Sequence, residues 1–268
     1  MSSPDREIVI SGVGPPDSCG ARETRAVFFD LYETLVTHFD PDWVPPPRSI
    51  AQRLGLDERR FADLWRNYGK AWEAGEIRDY ADALAEMCVA AEIQPDATLF
   101  SRLDHERREA YARPFQTIEP KIVQMLTCLR ESGLKLGVIT NASNLDAAPW
   151  PDCPLAPYFD CFVASHEVRV LKPDRRIYLL ACRLLEVSPG EAIFVGDGGS
   201  NELQGAADAG LRVYWATWFL DKWPTGTRPN SFPGDDWRQH HSPGEPPFKR
   251  LMQPEELLRS EEFRASGR

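Results

Sequence analysis

The stretch AVFFDLYETLV, residues 26–36, opens on an unbroken apolar run and reaches a carboxylate at Asp30. A short apolar run bounded by polar residues predicts a strand that is buried on both faces of a sheet. Four later runs have the same character: LKLGVIT (134–140), DCFVAS (160–165), AIFVGD (192–197) and LRVYWAT (211–217). The stretch therefore predicts the first strand of a sheet, with Asp30 at its carboxyl end.

Helical patterns separate these predicted strands. PKIVQMLTCLRES (120–132) and PDRRIYLLACRLLEV (173–187) both place apolar residues at helical spacing. Strands that alternate with helices of this length form right-handed crossovers, so the predicted fold class is α/β with a doubly wound parallel sheet. Active sites in such sheets lie beyond the carboxyl ends of the strands. Polar residues occupy those predicted ends at Asp30, Thr140, Asn141 and Asp197.

The segment 38–114 interrupts this alternation, because it contains helical patterns and no convincing strand. Apolar side chains form one helical stripe from Phe61 to Trp72 and a second from Leu84 to Ala91. Such stripes are typical of helices that pack on one another. The sequence therefore predicts a helical cap inserted after the first strand. A cap over a catalytic edge excludes water and selects the substrate.

The rest of the chain is divided around this cap. Residues 25–37 and 115–260 are predicted to form the α/β core, residues 1–24 a flexible N-terminal tail and residues 261–268 a C-terminal tail. Beyond Thr217 the aromatic residues Trp218, Phe219, Trp223 and Trp237 predict an ordered irregular loop. A stretch at FKRLM (248–252) and a helix at PEELLRS (254–260) are predicted to close the domain.

Composition narrows the class of protein further. The formal net charge of −10 argues against a nucleic-acid surface, which needs a basic stripe. No run approaches the length of a membrane span, and the N-terminus lacks the apolar stretch of a signal peptide. The six cysteines contain no C-x-x-C pair and are expected to be reduced thiols. We expect a cytoplasmic protein that acts on a small molecule; the oligomeric state is left open.

Four motifs in fixed order resemble those of the haloacid dehalogenase (HAD) superfamily. FFDLYETLV (28–36) is similar to the first motif, D-x-D-x-T-[LV], with Thr34 at the threonine position and Tyr32 in place of the second aspartate. LGVIT (136–140) matches the second motif at Thr140. VRVLKPDRRIY (168–178) matches the third at Lys172, and IFVGDGGSNELQGAADAGL (193–211) the fourth at Asp197 and Glu202.

The resemblance implies a hydrolase that forms an aspartyl-phosphate on Asp30. In the family, Mg²⁺ would be held by Asp30, the backbone carbonyl of Tyr32 and Asp197. Lys172 would neutralise the nucleophile and the phosphate oxygens. The resemblance assigns the phosphoryl group to the Thr140 hydroxyl and the Asn141 backbone amide. Two further residues, Asn201 and Glu202, would orient these groups.

The departure at Tyr32 affects the predicted chemistry. In phosphatases of the family, the second aspartate protonates the leaving oxygen and then activates water. Tyrosine has a reference pKa near 10 and is a poor general acid and base at neutral pH. Glu33, where most members have glycine, is a candidate substitute acid. Because the metal contact at position 32 uses backbone oxygen, the magnesium site is expected to survive.

Two alternative functions stay open at this point. D-x-Y-x-T also occurs in 2-haloacid dehalogenases, which need no leaving-group acid, and Tyr178 fits that branch. However, dehalogenases use no metal, and their cap arginine has no clear counterpart near Phe61. Asp197 would also repel a haloacid carboxylate unless a cation lay between them. The second alternative is a non-catalytic binder of phosphorylated ligands, although such a binder needs no nucleophile.

Overall fold

The computed structural model describes residues 23–42, 47–94, 96–223, 248–260 and 263. A six-stranded sheet forms its centre. The strands are β1 (Ala26–Phe29), β2 (Lys135–Thr140), β3 (Cys161–Ala164), β4 (Ala192–Gly196), β5 (Arg212–Ala216) and β6 (Lys249–Leu251). Their order across the sheet is β3-β2-β1-β4-β5-β6, and every neighbouring pair is parallel. The predicted doubly wound α/β fold is confirmed.

The alternation of side chains along β1 explains why both faces of the sheet are covered. Val27 and Phe29 point into one apolar layer, which includes helices α5 (Pro120–Glu131) and α10 (Glu255–Leu258). Ala26 and Phe28 point into the opposite layer, with helices α8 (Arg175–Leu184) and α9 (Glu202–Asp208). All four β1 residues are fully buried, which is why the strand reads as a continuous apolar run.

The sixth strand was not predicted as a strand. Lys249 and Arg250 are exposed on β6, and only Leu251 is buried, so this edge strand carries no apolar pattern. Its position depends on pairing with β5, for example between Trp215 and Arg250. The helix predicted nearby is present as α10.

Among the described residues, four α-helices lie between β1 and α5. They are α1 (Ile50–Arg53), α2 (Glu58–Glu73), α3 (Tyr80–Ala90) and α4 (Ala97–Ala112). We call these four helices the cap. The predicted stripes are its interior: Phe61 and Trp72 are fully buried on α2, and Leu84 and Met87 on α3. No strand occurs in the described part of segment 38–114. The boundaries of the cap at 38 and 114 stay a prediction.

Short elements complete the described chain. Two single-turn helices follow strands β2 and β3 as α6 (Asn144–Ala147) and α7 (Ser165–Val168). Turns of 3₁₀ helix span Arg113–Phe115, Trp150–Asp152, Ala156–Tyr158, Pro189–Glu191, Gly199–Asn201 and Leu220–Lys222. No helix among the described residues is long and apolar enough to span a bilayer.

The aromatic segment after β5 is ordered as predicted, where it is described. Trp218 and Phe219 are buried in the apolar layer that includes α5, and Trp223 is buried against Leu220 and Phe39. Trp237 lies outside the described residues, as do the predicted tails except for Glu23, Thr24 and Phe263. The cysteines at positions 88, 128, 153, 161 and 182 are free thiols.

Candidate active site

The site begins where β1 ends. Directly after β1, the Asp30 amide donates a hydrogen bond to the Val195 carbonyl of β4, at 2.9 Å. Because β4 ends at Gly196, one residue later, Asp197 emerges beside Asp30 at the same edge of the sheet. Both carboxylates are buried, although carboxylates are rarely buried without partners. The local strand pairing therefore brings together two of the predicted site residues.

Lys172 supplies the positive charge of this edge. Its ammonium donates to Asp30 Oδ1 at 2.5 Å and also to Glu202 Oε2. The lysine is buried, and burial alone would lower its pKa. The charges of Asp30 and Glu202 outweigh that effect and hold the pKa well above its usual value. Lys172 is therefore a permanent cation between the two carboxylates.

A third carboxylate completes the cluster. Asp30, Asp197 and Glu202 each present an oxygen such that all three oxygens lie within 4.8 Å of one another. Burial raises the pKa of Asp30, and the charge of Asp197 raises it further against the opposing effect of Lys172. Burial, followed by the charge of Asp30, raises the pKa of Glu202 well above its usual value. One lysine therefore faces three crowded carboxylates, which is unfavourable without a further cation.

The loop between β4 and α9 shapes this cluster. The Gly198 amide donates to Glu202 Oε1 at 3.1 Å, and the Gly199 amide donates to Asp197 Oδ1 at 2.9 Å. Gly198 adopts φ +96°, a conformation that side chains rarely permit. Asn201 lies exposed at the start of α9, whereas Glu202 turns inward. Of these two predicted orienting residues, the structure thus brings only Glu202 into the cluster.

Residues that follow β2 hold Lys172 in place. The Asn141 amide group donates to the Lys172 carbonyl at 3.1 Å and accepts from the Lys172 amide at 2.8 Å. This pair of bonds fixes the loop that presents the ammonium. Thr140 is buried at the last position of β2. Thr34 is also buried, with a long 3.5 Å contact from its hydroxyl to Asp30 Oδ2.

Tyr32 turns its side chain toward the cap. Its hydroxyl donates to the carbonyl of Asp146 at 2.6 Å, and its ring stacks on His38 with centroids 4.8 Å apart. Burial, with the nearby charge of Asp146, raises the Tyr32 pKa well above its usual value. The phenol therefore stays protonated and committed to a backbone oxygen.

Glu33 is held by the loop that follows β1. Its carboxylate accepts hydrogen bonds from the Thr37 hydroxyl at 2.7 Å, the His38 amide at 2.9 Å and the Trp223 indole at 2.9 Å. Its φ of +58° marks a tight turn, in which its amide donates to the Val36 carbonyl at 2.7 Å. The carboxylate that was predicted as a substitute acid thus has three partners, two in the loop after β1 and one, Trp223, in the segment after β5.

Comparison with known proteins gives the family. A model of the haloacid dehalogenase-like hydrolases matches residues 24–210. The chain belongs to this family. The family is one of hydrolases, and the parallel six-stranded sheet of this chain agrees with that membership.

The relatives of this hydrolase include several phosphatases. This chain is 36% identical to the glyceraldehyde 3-phosphate phosphatase of Methanopyrus kandleri, over 40% of this chain and 45% of that protein. It is 28% identical to the pyrimidine 5'-nucleotidase YjjG of Escherichia coli, over 76% of this chain and 90% of that protein. The chain thus spans less than half the length of the first relative.

A solved structure supports the fold alone. The 2-haloacid dehalogenase of Pseudomonas syringae pv. Tomato aligns with a TM-score of 0.54 and 21% identity, over 88% of this chain and 97% of the other. At that identity, the similarity concerns the path of the chain and says nothing about the reaction.

Three residues near the site of this hydrolase were missed by the sequence analysis. Arg107 on α4 forms a buried ion pair with Asp146, at 3.2 Å. Glu73, the last residue of α2, has a pKa raised to about 7, chiefly by burial and next by the charge of Asp146. No motif contains these residues. The stripe from Phe61 to Trp72 showed which face of α2 is buried, but it did not show which core loop that helix would contact.

Proposed function

We propose that this hydrolase is a magnesium-dependent phosphatase that forms an aspartyl-phosphate on Asp30. Its substrate would be a small phosphate monoester or an acyl phosphate. The observation that carries the proposal is the buried cluster of Asp30, Asp197 and Glu202 around a single lysine. If all three carboxylates are ionised, the cluster keeps an excess of negative charge that a divalent cation would balance.

The donor set fits Mg²⁺. A hard cation prefers carboxylate, carbonyl and water oxygens, and the cluster offers only oxygen donors. Both Glu202 oxygens already accept hydrogen bonds, one from Lys172 and one from Gly198. This supports Asp30, Asp197 and the Tyr32 backbone carbonyl as the ligands, with Glu202 holding Lys172. When bound, the cation would neutralise charge on the carboxylates and on the substrate phosphate.

The chain's own residues would then carry the reaction. Asp30 attacks phosphorus, and the electron pair of the broken ester bond leaves on the departing oxygen. Lys172 opposes the rise in the Asp30 pKa that burial causes, and it neutralises the equatorial oxygens. The Thr140 hydroxyl and the Asn141 backbone amide receive the transferred group. The three hydrogen bonds on Glu33 support a role in shaping the turn rather than in donating a proton.

The dehalogenase alternative has less support. A haloacid carries a carboxylate that would approach Asp30 beside the buried carboxylate of Asp197. The arginines near the expected cap position, Arg59 and Arg60, are exposed. The buried cap arginine is Arg107, and it is already paired with Asp146. The site therefore favours a phosphate ester, whose negative charge a divalent cation would balance, over a haloacid.

The proposal includes the substrate class and the cellular location of the enzyme. Its substrate would be a small phosphorylated molecule, as it is for the phosphatases among its relatives. The five free thiols among the described residues are compatible with the proposed cytoplasmic location.

A substrate panel tests the proposal. Purified protein is assayed against phosphate monoesters, acyl phosphates and 2-haloacids, each with Mg²⁺ and with chelator. We expect phosphate release that requires Mg²⁺ and that Asp30→Asn abolishes. In intact-mass measurements, a phosphoryl adduct should form on the wild type and be absent from Asp30→Asn. Halide release in chelator would overturn the proposal and establish the dehalogenase alternative.

A further inference from the structure

The C-terminal end of α2 is fixed onto the catalytic edge of the sheet. The Ser165 hydroxyl, directly after β3, donates to the Glu73 carbonyl at 2.7 Å. The Trp72 indole donates to Asn144 Oδ1 at 3.2 Å, in the turn that follows β2. Gly75 approaches so closely that an added Cβ would lie 2.3 Å from the His166 carbonyl oxygen. Contacts from two strand-end loops therefore position Glu73.

The charges around Glu73 are those of the active site. Asp146 and Arg107 act on its carboxyl from the turn after β2 and from α4, and Lys70 acts from the preceding turn of α2. Lys172, which bridges Asp30 and Glu202, also acts on it. Within the described residues, the Glu73 carboxyl has no hydrogen bond or ion pair of its own. The carboxyl is partly buried and within range of the charge of Lys172, the lysine that pairs with Asp30.

We propose that Glu73 is the general acid and base of the reaction, supplied by the cap in place of the aspartate that Tyr32 replaces. This inference rests on the proposed phosphatase function. Two alternatives on the loop after β1 are engaged elsewhere: the Tyr32 hydroxyl with Asp146, and the Glu33 carboxylate with Thr37, His38 and Trp223. Glu73 instead belongs to the cap, at the end of α2 that the loops after β2 and β3 hold against the catalytic edge.

Glu73 would donate a proton in the first step of the reaction and accept one in the second. In the first, Asp30 forms a bond to phosphorus, the ester P–O bond breaks, and the leaving oxygen takes the proton of the Glu73 carboxyl. In the second, the Glu73 carboxylate takes a proton from water as that water attacks the aspartyl-phosphate. The Asp30–phosphorus bond then breaks, inorganic phosphate leaves and Glu73 is protonated again.

The environment of Glu73 suits this role. Burial and the charge of Asp146 raise its pKa to about 7, against the opposing charges of Arg107, Lys70 and Lys172. An acid with a pKa near the working pH can both give up and regain its proton. Since the first step needs the protonated form, kcat/KM for an alkyl phosphate should fall as the pH rises through about 7.

The test compares leaving groups in Glu73→Gln. An alkyl phosphate needs a proton on its leaving oxygen. The leaving group of 4-nitrophenyl phosphate, 4-nitrophenolate, departs as a stable anion without one. We expect kcat/KM for the alkyl ester to fall by about 10² to 10⁴, the usual contribution of a general acid. For 4-nitrophenyl phosphate the fall should be no more than a few-fold. Glu76→Gln, an exposed carboxyl three residues away, should change neither value.

The pH profile of the wild type gives a second, independent measurement. After correction for the ionisation of each substrate's own phosphate, the alkyl ester should show the decline near pH 7, and 4-nitrophenyl phosphate should not. Equal losses for the two esters in a folded Glu73→Gln, or matching pH profiles in the wild type, overturn the role of Glu73. Absence of any Asp30-dependent phosphate release would instead show that the proposed function itself is wrong.

Discussion

Asp197 is the residue on which the proposed cation requirement depends. Its charge raises the pKa of Asp30, so the two carboxylates repel each other. We predict that Asp197→Asn lowers Mg²⁺-dependent turnover by at least about 10², because an amide is a poorer magnesium ligand than a carboxylate. In thermal unfolding, added Mg²⁺ should raise the unfolding temperature of the wild type and leave that of the variant unchanged.

The same substitution should act in the opposite direction without metal. Removing one charge from a crowded buried cluster relieves repulsion, so Asp197→Asn should unfold at a higher temperature than the wild type in chelator. Turnover by the wild type in chelator at its Mg²⁺ rate would contradict the metal site, whatever the stability data show.

Tyr32 is predicted to support the structure and to take no part in proton transfer. Tyr32→Phe removes the hydrogen bond to the Asp146 carbonyl and should lower the free energy of unfolding by about 1–3 kcal/mol. Because the phenol is held protonated, kcat/KM for alkyl phosphates should change by less than about three-fold at neutral pH. Urea unfolding and steady-state kinetics on the same preparation measure both effects. A hundred-fold loss that is specific to alkyl esters would assign the acid to Tyr32.

At the scale of elements, α4 connects the cap to the core. Arg107 pairs with Asp146 at 3.2 Å, and its guanidinium lies over the rings of Trp72 and Tyr111, at 4.7 and 4.3 Å from their centroids. Arg107→Leu should cost about 3–5 kcal/mol, because it leaves a buried carboxylate without its partner.

A neighbouring residue supplies the control for this variant. Arg108 pairs with Asp104 on the exposed face of the same helix, so Arg108→Ala should cost less than about 1 kcal/mol. Urea titrations of both variants, with proteolysis to detect a loosened cap, measure the difference. If the two variants have the same stability, Arg107 does not connect cap and core in solution.

Local patterns predicted the elements of the core but not the contacts between cap and core. Each central strand is buried on both faces, so β1 and β4 read as apolar runs that end at Asp30 and Asp197. The edge strand β6 lacks that pattern and escaped prediction as a strand. Pairs such as Arg107 and Asp146 join residues that are 39 positions apart, and no sequence period encodes such a pairing.

At the scale of the whole molecule, the chain beyond the family match contributes to the site. The matched region ends at residue 210, yet Trp218 donates to the Thr34 carbonyl and Trp223 to the Glu33 carboxylate, both at 2.9 Å. The sequence predicted that these aromatics would pack. It did not predict what they contact, because the contacts span more than 180 residues. The C-terminal segment therefore holds the turn that follows Asp30, the proposed nucleophile.

Trp223→Phe tests this contribution, because it keeps an aromatic ring and removes the hydrogen bond to Glu33. Loss of a bond to a buried charged group should cost about 1.5–3 kcal/mol. Since the turn that Glu33 shapes sets the position of Asp30, kcat/KM should also fall by about ten-fold or more, as small displacements of a nucleophile slow its attack. Trp150→Phe is the matched control, since Trp150 is equally buried and makes no described contact with this turn. It should lose stability and keep its kcat/KM. Wild-type kcat/KM in a folded Trp223→Phe would show that the nucleophile's turn keeps its shape without the C-terminal segment.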